Sequence, residues 1–376
     1  MSSEQGEKVA SLAAVAPTIA HSTQLSRWPL IVEARVWRGL MRIGMAMHKL
    51  ARPRPVSPAF ELHIPATLSP RKGRIRLVFY IPDSYEPGSD RRWPVIVNFH
   101  GGGFTLGEPT DDARWASTVV HDAEAVCVCV GYRRAPEYPF PTAVEDGADA
   151  ILWLLDHADE FSLDADRIGV SGFSAGGNMA LTVPLLLQDA LLRRDTVAQD
   201  ETATQADARH NVVKLVVAWY PPVDVTRSRD ERRASCVRPD KCLPAVFTTL
   251  FDKSYLWPPG DVSLDSPYLS PGIADEELLK LLPNELFVYT CQWDQLWDEG
   301  ETFRKRMQAL GKHVGGRVIE AVEHAWDKSP NPLHPDPVAQ EVYTEACREI
   351  RRIFNQPDIH DSDANNHAIS SPASLS

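Results

Sequence analysis

The chain is poor in the features that would send its reading elsewhere. No apolar run approaches the ~20 residues that a membrane-spanning helix needs, so no span is expected. The opening stretch MSSEQGEKVASLAAVAPTIA carries early acidic residues and no basic n-region, which argues against a secretory signal and for a cytoplasmic protein. Cysteines number six in 376 residues and no C-x-x-C occurs, so a disulfide framework is excluded. Cys127 and Cys129, two apart in AVCVCVGY, face the same way on a strand and read as small core residues. Positive charge is also short: 39 Lys and Arg stand against 51 Asp and Glu, a net charge of −12. A nucleic-acid partner is not expected, because phosphate contacts need clustered basic residues. No internal repeat is evident.

What is present is ordinary globular composition, 43% hydrophobic and 24% charged, in a chain long enough for a large core and one or two domains. Apolar, β-rich runs at Ile75–Ile81, Val95–Phe99, Ala125–Tyr132, Ile168–Val170, Leu215–Trp219, Leu286–Thr290 and Arg317–Ala321 alternate with helical patterns. The helical patterns cover Ala143–His157, Gly177–Leu192, Asp298–Leu310 and Val338–Phe354. Nearly continuous apolar strands between helices predict a mostly parallel α/β sheet covered on both faces. Arg193–His210 reads as a polar surface loop, and Arg227–Asp261 as an insertion able to add helices above the sheet. Residues 24–54 read as an amphipathic helix that packs on the domain or caps a pocket, with a membrane-surface helix as the sharper alternative. The tail from Asp358 is polar and is expected to be disordered.

Gly172-Phe173-Ser174-Ala175-Gly176 follows the strand-like RIGV and opens the helical GGNMALTVPLLL, the context a G-x-S-x-G nucleophile turn requires. A strand-to-helix turn this tight strains the serine backbone and excludes side chains two residues to either side. A serine hydroxyl also needs a base, an orienter for the base and donors for an oxyanion. NFHGGGFTLG, Asn98 to Gly107, follows the strand VIVNF with three consecutive glycines whose N–H groups can approach a substrate. Gly102 and Gly103, with Ala175, are the expected donors, and Gly101 is a weaker one. His100 reads as a loop anchor rather than a base. Glu145 and Asp146 read as structural, bracing the glycine loop or Arg134, and Asn178 as a first-turn helix residue.

HGGGF, YRRAPEYPFPTAVED and GFSAGGN together resemble the hormone-sensitive-lipase-like family of α/β-hydrolases, the HGGG-motif carboxylesterases, over roughly Val78 to Phe354. The resemblance implies an α/β-hydrolase fold with an N-terminal helical cap, and a serine, an acid and a histidine in chain order. In LFVYTCQWDQLWDEG the acid is then Asp294, with Asp298 and Glu299 opening the next helix; in RVIEAVEHAWDKSP the histidine is His324. His313 reads as an exposed loop residue, and His334 is the lesser alternative. Two departures stand out. The family often has His-Gly-aromatic where this chain has His324-Ala325-Trp326, and many relatives carry Asp at the position of Phe173.

The expected division is a tail at 1–23, a cap from 24–60 plus 227–261, a catalytic domain from 61–226 and 262–357, and a second tail at 358–376. Substrate contacts are expected from Phe104, Phe251, Tyr255 and Trp257, because small-ligand pockets are mostly apolar. The implied activity is hydrolysis of small to medium carboxylic esters through an acyl-enzyme, with no metal or organic cofactor. The partner is then a small-molecule ester; no membrane association is expected, and the state is monomer or homodimer. The phrase VEHAWDKSPNP resembles filamentous-fungal members, which points to esters of secondary metabolism. Two alternatives share the fold: an acyltransferase or thioesterase on the same triad, and a non-catalytic small-molecule receptor that lacks the base.

Overall fold

The computed structural model describes residues 26–197, 212–328 and 333–355. Both expected tails, and most of the expected loop after Arg193, lie outside the described residues. Among the described residues the first element is helix α1, Trp28–Leu50, followed by the antiparallel pair β1 (Phe60–Pro65) and β2 (Arg74–Tyr80). Then come β3 (Trp93–Phe99), a short helix α2 (Ala113–Thr118) with a π-helical continuation to Ala123, β4 (Val126–Gly131), α3 (Thr142–Asp156) and β5 (Leu163–Phe173). Helix α4 (Ala175–Val197) leads to β6 (Val213–Trp219). An insertion of α5 (Arg229–Ser235) and α6 (Ala245–Tyr255) and a short α7 (Glu276–Leu279) precede β7 (Glu285–Cys291). The described residues finish with α8 (Trp297–Ala309), the short strands β8 (His313–Gly315) and β9 (Val318–Ile319), and α9 (Pro337–Phe354).

The sheet runs β1-β2-β4-β3-β5-β6-β7-β8, with β9 also on β7. From β4 onward every pairing is parallel. The central strand WPVIVNF is buried along its whole length, as a strand covered on both faces must be. One face buries Val97, Phe99, Met179 and Phe303 under α3, α4 and α8; the other buries Trp115, Trp219 and Ile350 under α2 and α9.

The expected α/β alternation is present, and the differences have local causes. FELHIP alternates exposed and covered residues as an edge strand does, which left β1 without an apolar run to signal it. His313 opens β8 and pairs with Glu285 at 2.7 Å, so it is exposed but not in a loop. Helix α4 continues past Arg193 to Val197, supported by the Asp189–Arg193 pair at 2.7 Å one turn apart, so residues 193–197 of the expected loop are helical. The insertion is helical as expected, and α6 packs against α1 through Trp37 and Phe247, ring centroids 4.7 Å apart.

Candidate active site

Ser174 sits between the last residue of β5 and the first of α4, with φ at +53°. That backbone region is costly for a side chain, and the surrounding contacts hold it there. The Ser174 N–H donates to the Trp219 carbonyl at 2.9 Å, and its carbonyl accepts from the Asn178 N–H at 3.0 Å. The glycines on either side have a steric reason. A Cβ on Gly172 would collide with the Gly176 carbonyl, and one on Gly176 with the Phe99 carbonyl. The turn places the N-terminus of α4, where the helix dipole favours negative charge, beside the hydroxyl.

His324, in the loop after β9, brings Nε2 to 2.8 Å from Ser174 Oγ and Nδ1 to 2.5 Å from Asp294 Oδ2. Asp294 follows β7, is buried, and accepts the Leu296 N–H on Oδ1 at 3.1 Å. A carboxylate on Nδ1 fixes that nitrogen as the donor and leaves Nε2 to accept the serine proton. The structure thus brings Ser174, His324 and Asp294 into one hydrogen-bonded chain, although their positions span 150 residues. Asp298 instead pairs with Arg227 at 2.9 Å in the first turn of α8, and His334 is exposed. Ala325, where relatives often have glycine, takes φ +58°. The departure therefore places a Cβ in a left-handed conformation that glycine would adopt without strain.

The glycine loop passes directly over the serine. A Cβ on Gly101 would stand 3.0 Å from the Phe173 carbonyl and 3.6 Å from Ser174 Cβ. Gly102 and Gly103 have φ of +110° and +59°, and Leu106 N–H closes on the Gly102 carbonyl at 2.7 Å. His100 is the expected anchor. It is buried, stacks on Tyr132 with centroids 4.2 Å apart, and has Nδ1 2.8 Å from the Gly101 carbonyl. Burial pushes its pKa down to about 3, which keeps the ring neutral. The bracing acid differs in its partner. Asp146 binds Arg133, not Arg134, with Nη2 to Oδ1 at 2.6 Å and the Arg133 N–H at 2.8 Å. Arg134 holds the loop itself, through the Gly107 carbonyl and Glu108. Glu145 is half-buried near Ser69 and Arg71. Asn178 donates to the Pro222 and Leu269 carbonyls, both at 2.9 Å, which ties α4 to the loops above it.

Phe173 explains what replaces the family Asp. Its ring is buried, stacks on Trp219 with centroids 5.5 Å apart, and carries the Lys328 ammonium 3.7 Å from its centroid. Lys328 is held by Asp112 at 2.9 Å and Asp327 at 2.8 Å. Burial alone would lower the lysine pKa; the two carboxylates outweigh it and raise it above the ordinary value. Tyr220, whose ring edges onto His324 at 4.9 Å, donates to Asp327 at 2.5 Å. Sequence reasoning missed this network, and the only signal was the Asp-Lys pair three residues after His324.

Two cavities meet at Ser174. The smaller, with about 600 Å³ of free space including its open mouth, is lined by Phe104, Tyr255, Leu256, Leu269 and Arg232. The larger, about 1030 Å³ on the same measure, is lined by Trp37, Met41, Met45, Leu106, Phe247 and Asp111. Gly103, Phe251 and His324 border both. Of the residues expected to touch substrate, Phe104 and Tyr255 (ring centroids 3.8 Å apart) line the smaller cavity and Phe251 lines both. Trp257, two residues beyond the end of α6, borders neither cavity, so the structure does not bring it to the site. Among the described residues, no group of three or more His, Cys, Asp or Glu side chains could hold a metal ion.

The family model described as alpha/beta hydrolase fold matches residues 96–328. The chain is similar to carboxylic ester hydrolase LipN of Mycobacterium tuberculosis, 33% identical over 64% of this chain and 59% of that protein's length. It is similar to an arylesterase of Saccharolobus solfataricus, 30% identical over 65% of this chain and 72% of that protein, and to AB hydrolase superfamily protein C1039.03 of Schizosaccharomyces pombe, 34% identical over 62% and 63%. The fold is similar to the Pyrobaculum calidifontis esterase structure, with a TM-score of 0.67, 28% identity, and 85% of this chain and 92% of that one covered.

Proposed function

The chain belongs to the α/β-hydrolase fold family, and from that premise we propose that it is a serine carboxylesterase. The observation that carries the reading is the hydrogen-bonded sequence Ser174 Oγ, His324, Asp294, at 2.8 and 2.5 Å, beneath the Gly101–Gly103 loop. Ser174 Oγ attacks the ester carbonyl while His324 Nε2 takes its proton. Asp294 holds the imidazole in the needed tautomer and stabilises the imidazolium. The N–H groups of Gly102, Gly103 and Ala175 receive the oxyanion. His324 then protonates the leaving alkoxide, and water repeats the sequence on the acyl-enzyme.

The two cavities on either side of Ser174 divide the substrate between an acyl part and an alcohol part, and their mostly apolar walls favour esters of small to medium length. The names of the relatives, among them ester hydrolases and an arylesterase, support ester hydrolysis. An ester of secondary metabolism is the finer reading, resting on the resemblance of VEHAWDKSPNP to filamentous-fungal members. A receptor that has lost its base is disfavoured by His324, which sits within hydrogen-bond distance of the serine.

The test is hydrolysis of p-nitrophenyl acetate, butyrate and octanoate. Wild-type protein should turn over at least one of them, and Ser174→Ala and His324→Ala should each lower kcat by about 10³-fold or more while the fold is retained. Turnover by Ser174→Ala at the wild-type rate would overturn the assignment.

A further inference from the structure

Helix α1 is apolar on two sides: Ala34, Trp37, Met41 and Met45 face the body, and arginines at its flank help hold it there. Arg38 donates to the Thr105 and Ala135 carbonyls at 2.8 and 2.6 Å and grips Glu137 with both terminal nitrogens. Arg42 binds Glu108 at 2.6 Å, and Arg114 reaches up to the His48 and Ala51 carbonyls at 2.7 and 2.8 Å. The outward side is apolar. Trp28, Val32, Val36, Leu40, Ile43 and Leu50 are each between 53% and 68% exposed. At 100° per residue they fall, with Pro29, Gly39 and Ala46, within one arc of about 120° that contains no charged residue. The helix is 23 residues long, so this arc runs for about 34 Å. A continuous exposed apolar face of this kind marks an interaction site.

We propose that this face docks on an anionic lipid surface and that ester substrate enters the larger cavity from that side. Two observations select the occupant. The first is charge. Arg35, Arg42 and Lys49, seven residues apart, form a row along one border of the apolar arc; the Arg35 and Arg42 side chains stay 65% and 63% exposed while pairing with Glu137 at 3.6 Å and Glu108 at 2.6 Å, and Lys49 donates to Thr110 at 3.1 Å. Arg52 and Arg54 follow, and Glu33 is the only acid between Arg27 and Arg54, in a chain whose net charge is −12. Basic residues beside an apolar face suit lipid headgroups. They do not suit a second copy of this chain: a two-fold antiparallel pairing would set the Arg35–Lys49 row against itself, with no acidic row to answer it. The second is continuity. Leu40 belongs to the exposed face and also lines the larger cavity, beside Trp37, Met41 and Met45. The apolar path therefore runs from the outer face of the helix to Ser174.

The experiment is co-sedimentation of the full chain with vesicles of phosphatidylcholine containing phosphatidylserine, against phosphatidylcholine alone. Anionic vesicles should bind the protein more tightly, and raising salt from about 0.1 to 0.5 M should weaken the binding. Val36→Glu/Ile43→Glu, two outward positions that do not line the cavity, should lower partitioning at least ~10-fold. It should leave hydrolysis of a water-soluble short ester at the wild-type rate. Ser174→Ala should bind vesicles as wild type does, so failure of the esterase reading and failure of this one are separable. Absence of vesicle binding, or binding that Val36→Glu/Ile43→Glu does not change, overturns the proposal. A concentration-dependent dimer in sedimentation velocity that the same pair of substitutions abolishes assigns the face to a second copy instead. Vesicle binding that arises only after residues 1–25 are deleted assigns it to the chain's own N-terminal segment.

Discussion

Removing the Glu299 carboxylate would strand a guanidinium in the interior. Arg232 on α5 and Glu299 on α8 are both about 2% exposed, with Nε 2.7 Å from Oε2. Glu299 Oε1 also accepts the Val223 and Asp224 N–H groups at 2.8 and 3.3 Å, and Arg232 donates to the Asp224 carbonyl. The pair therefore ties the insertion to α8 and to the loop after β6 at the wall of the smaller cavity, which Arg232 lines. Burial raises the Glu299 pKa and lowers that of Arg232, each only partly opposed by its partner. Desolvation thus outweighs attraction, and the pair is worth far less as a unit than either half costs to lose. Glu299→Ala should cost about 3–5 kcal/mol, and Arg232→Met a similar amount. The double variant Arg232→Met/Glu299→Leu removes both charges and leaves two backbone N–H groups and the Asp224 carbonyl without these partners; Asp224 is only half-buried and water can serve it, so the double variant should cost clearly less than the two single losses together. Urea unfolding followed by tryptophan fluorescence measures all four proteins. Single losses below about 1 kcal/mol, or a double variant equal to the sum of the singles, would refute the reasoning.

Two further outcomes follow from the site. Gly103→Ala puts a Cβ into the Phe251 ring at φ +59°, and should lower kcat/KM on p-nitrophenyl butyrate by about 10²-fold; adding Phe251→Ala, which clears the ring, should restore part of the loss, and no loss in the single variant would contradict the close approach. Asp111, beside the larger cavity, has its pKa raised to about 7 by burial and then by Asp112. A carboxyl that holds its proton longer when folded loses stability as pH rises from about 4 to about 7. The neutral Asp111→Asn should therefore gain on wild type by roughly 3 kcal/mol between pH 5 and pH 8 in urea unfolding, and a difference flat with pH would reject the assignment.

Much of the fold was legible because its parallel strands are buried on both faces, which writes them as short apolar runs such as VIVNF and VCVCV. The serine turn was legible because its glycines are steric requirements of a local backbone path, and Asp294 and His324 because the family order places them after successive strands. The missed elements lacked such local causes. β1 is a half-exposed edge strand, and α2 is six residues long. Partnerships between distant side chains were also hidden. Asp146 chose Arg133 over its neighbour Arg134, and Lys328 took the place above Phe173 that composition could not reveal. Helix α1 was readable as amphipathic, but not which side faces inward. Arg38 and Arg42 find their acids 99 and 66 residues away, at Glu137 and Glu108, and no local pattern announces those partners.

The central claim is that Ser174 is the nucleophile, made reactive by His324. Intact-mass measurement after exposure to a fluorophosphonate tests it directly. The account predicts one phosphonyl adduct on the wild-type chain, none on Ser174→Ala, and strongly slowed labelling of His324→Ala. A folded wild-type chain that gains no adduct, or an adduct that persists at the same rate in Ser174→Ala, would contradict it.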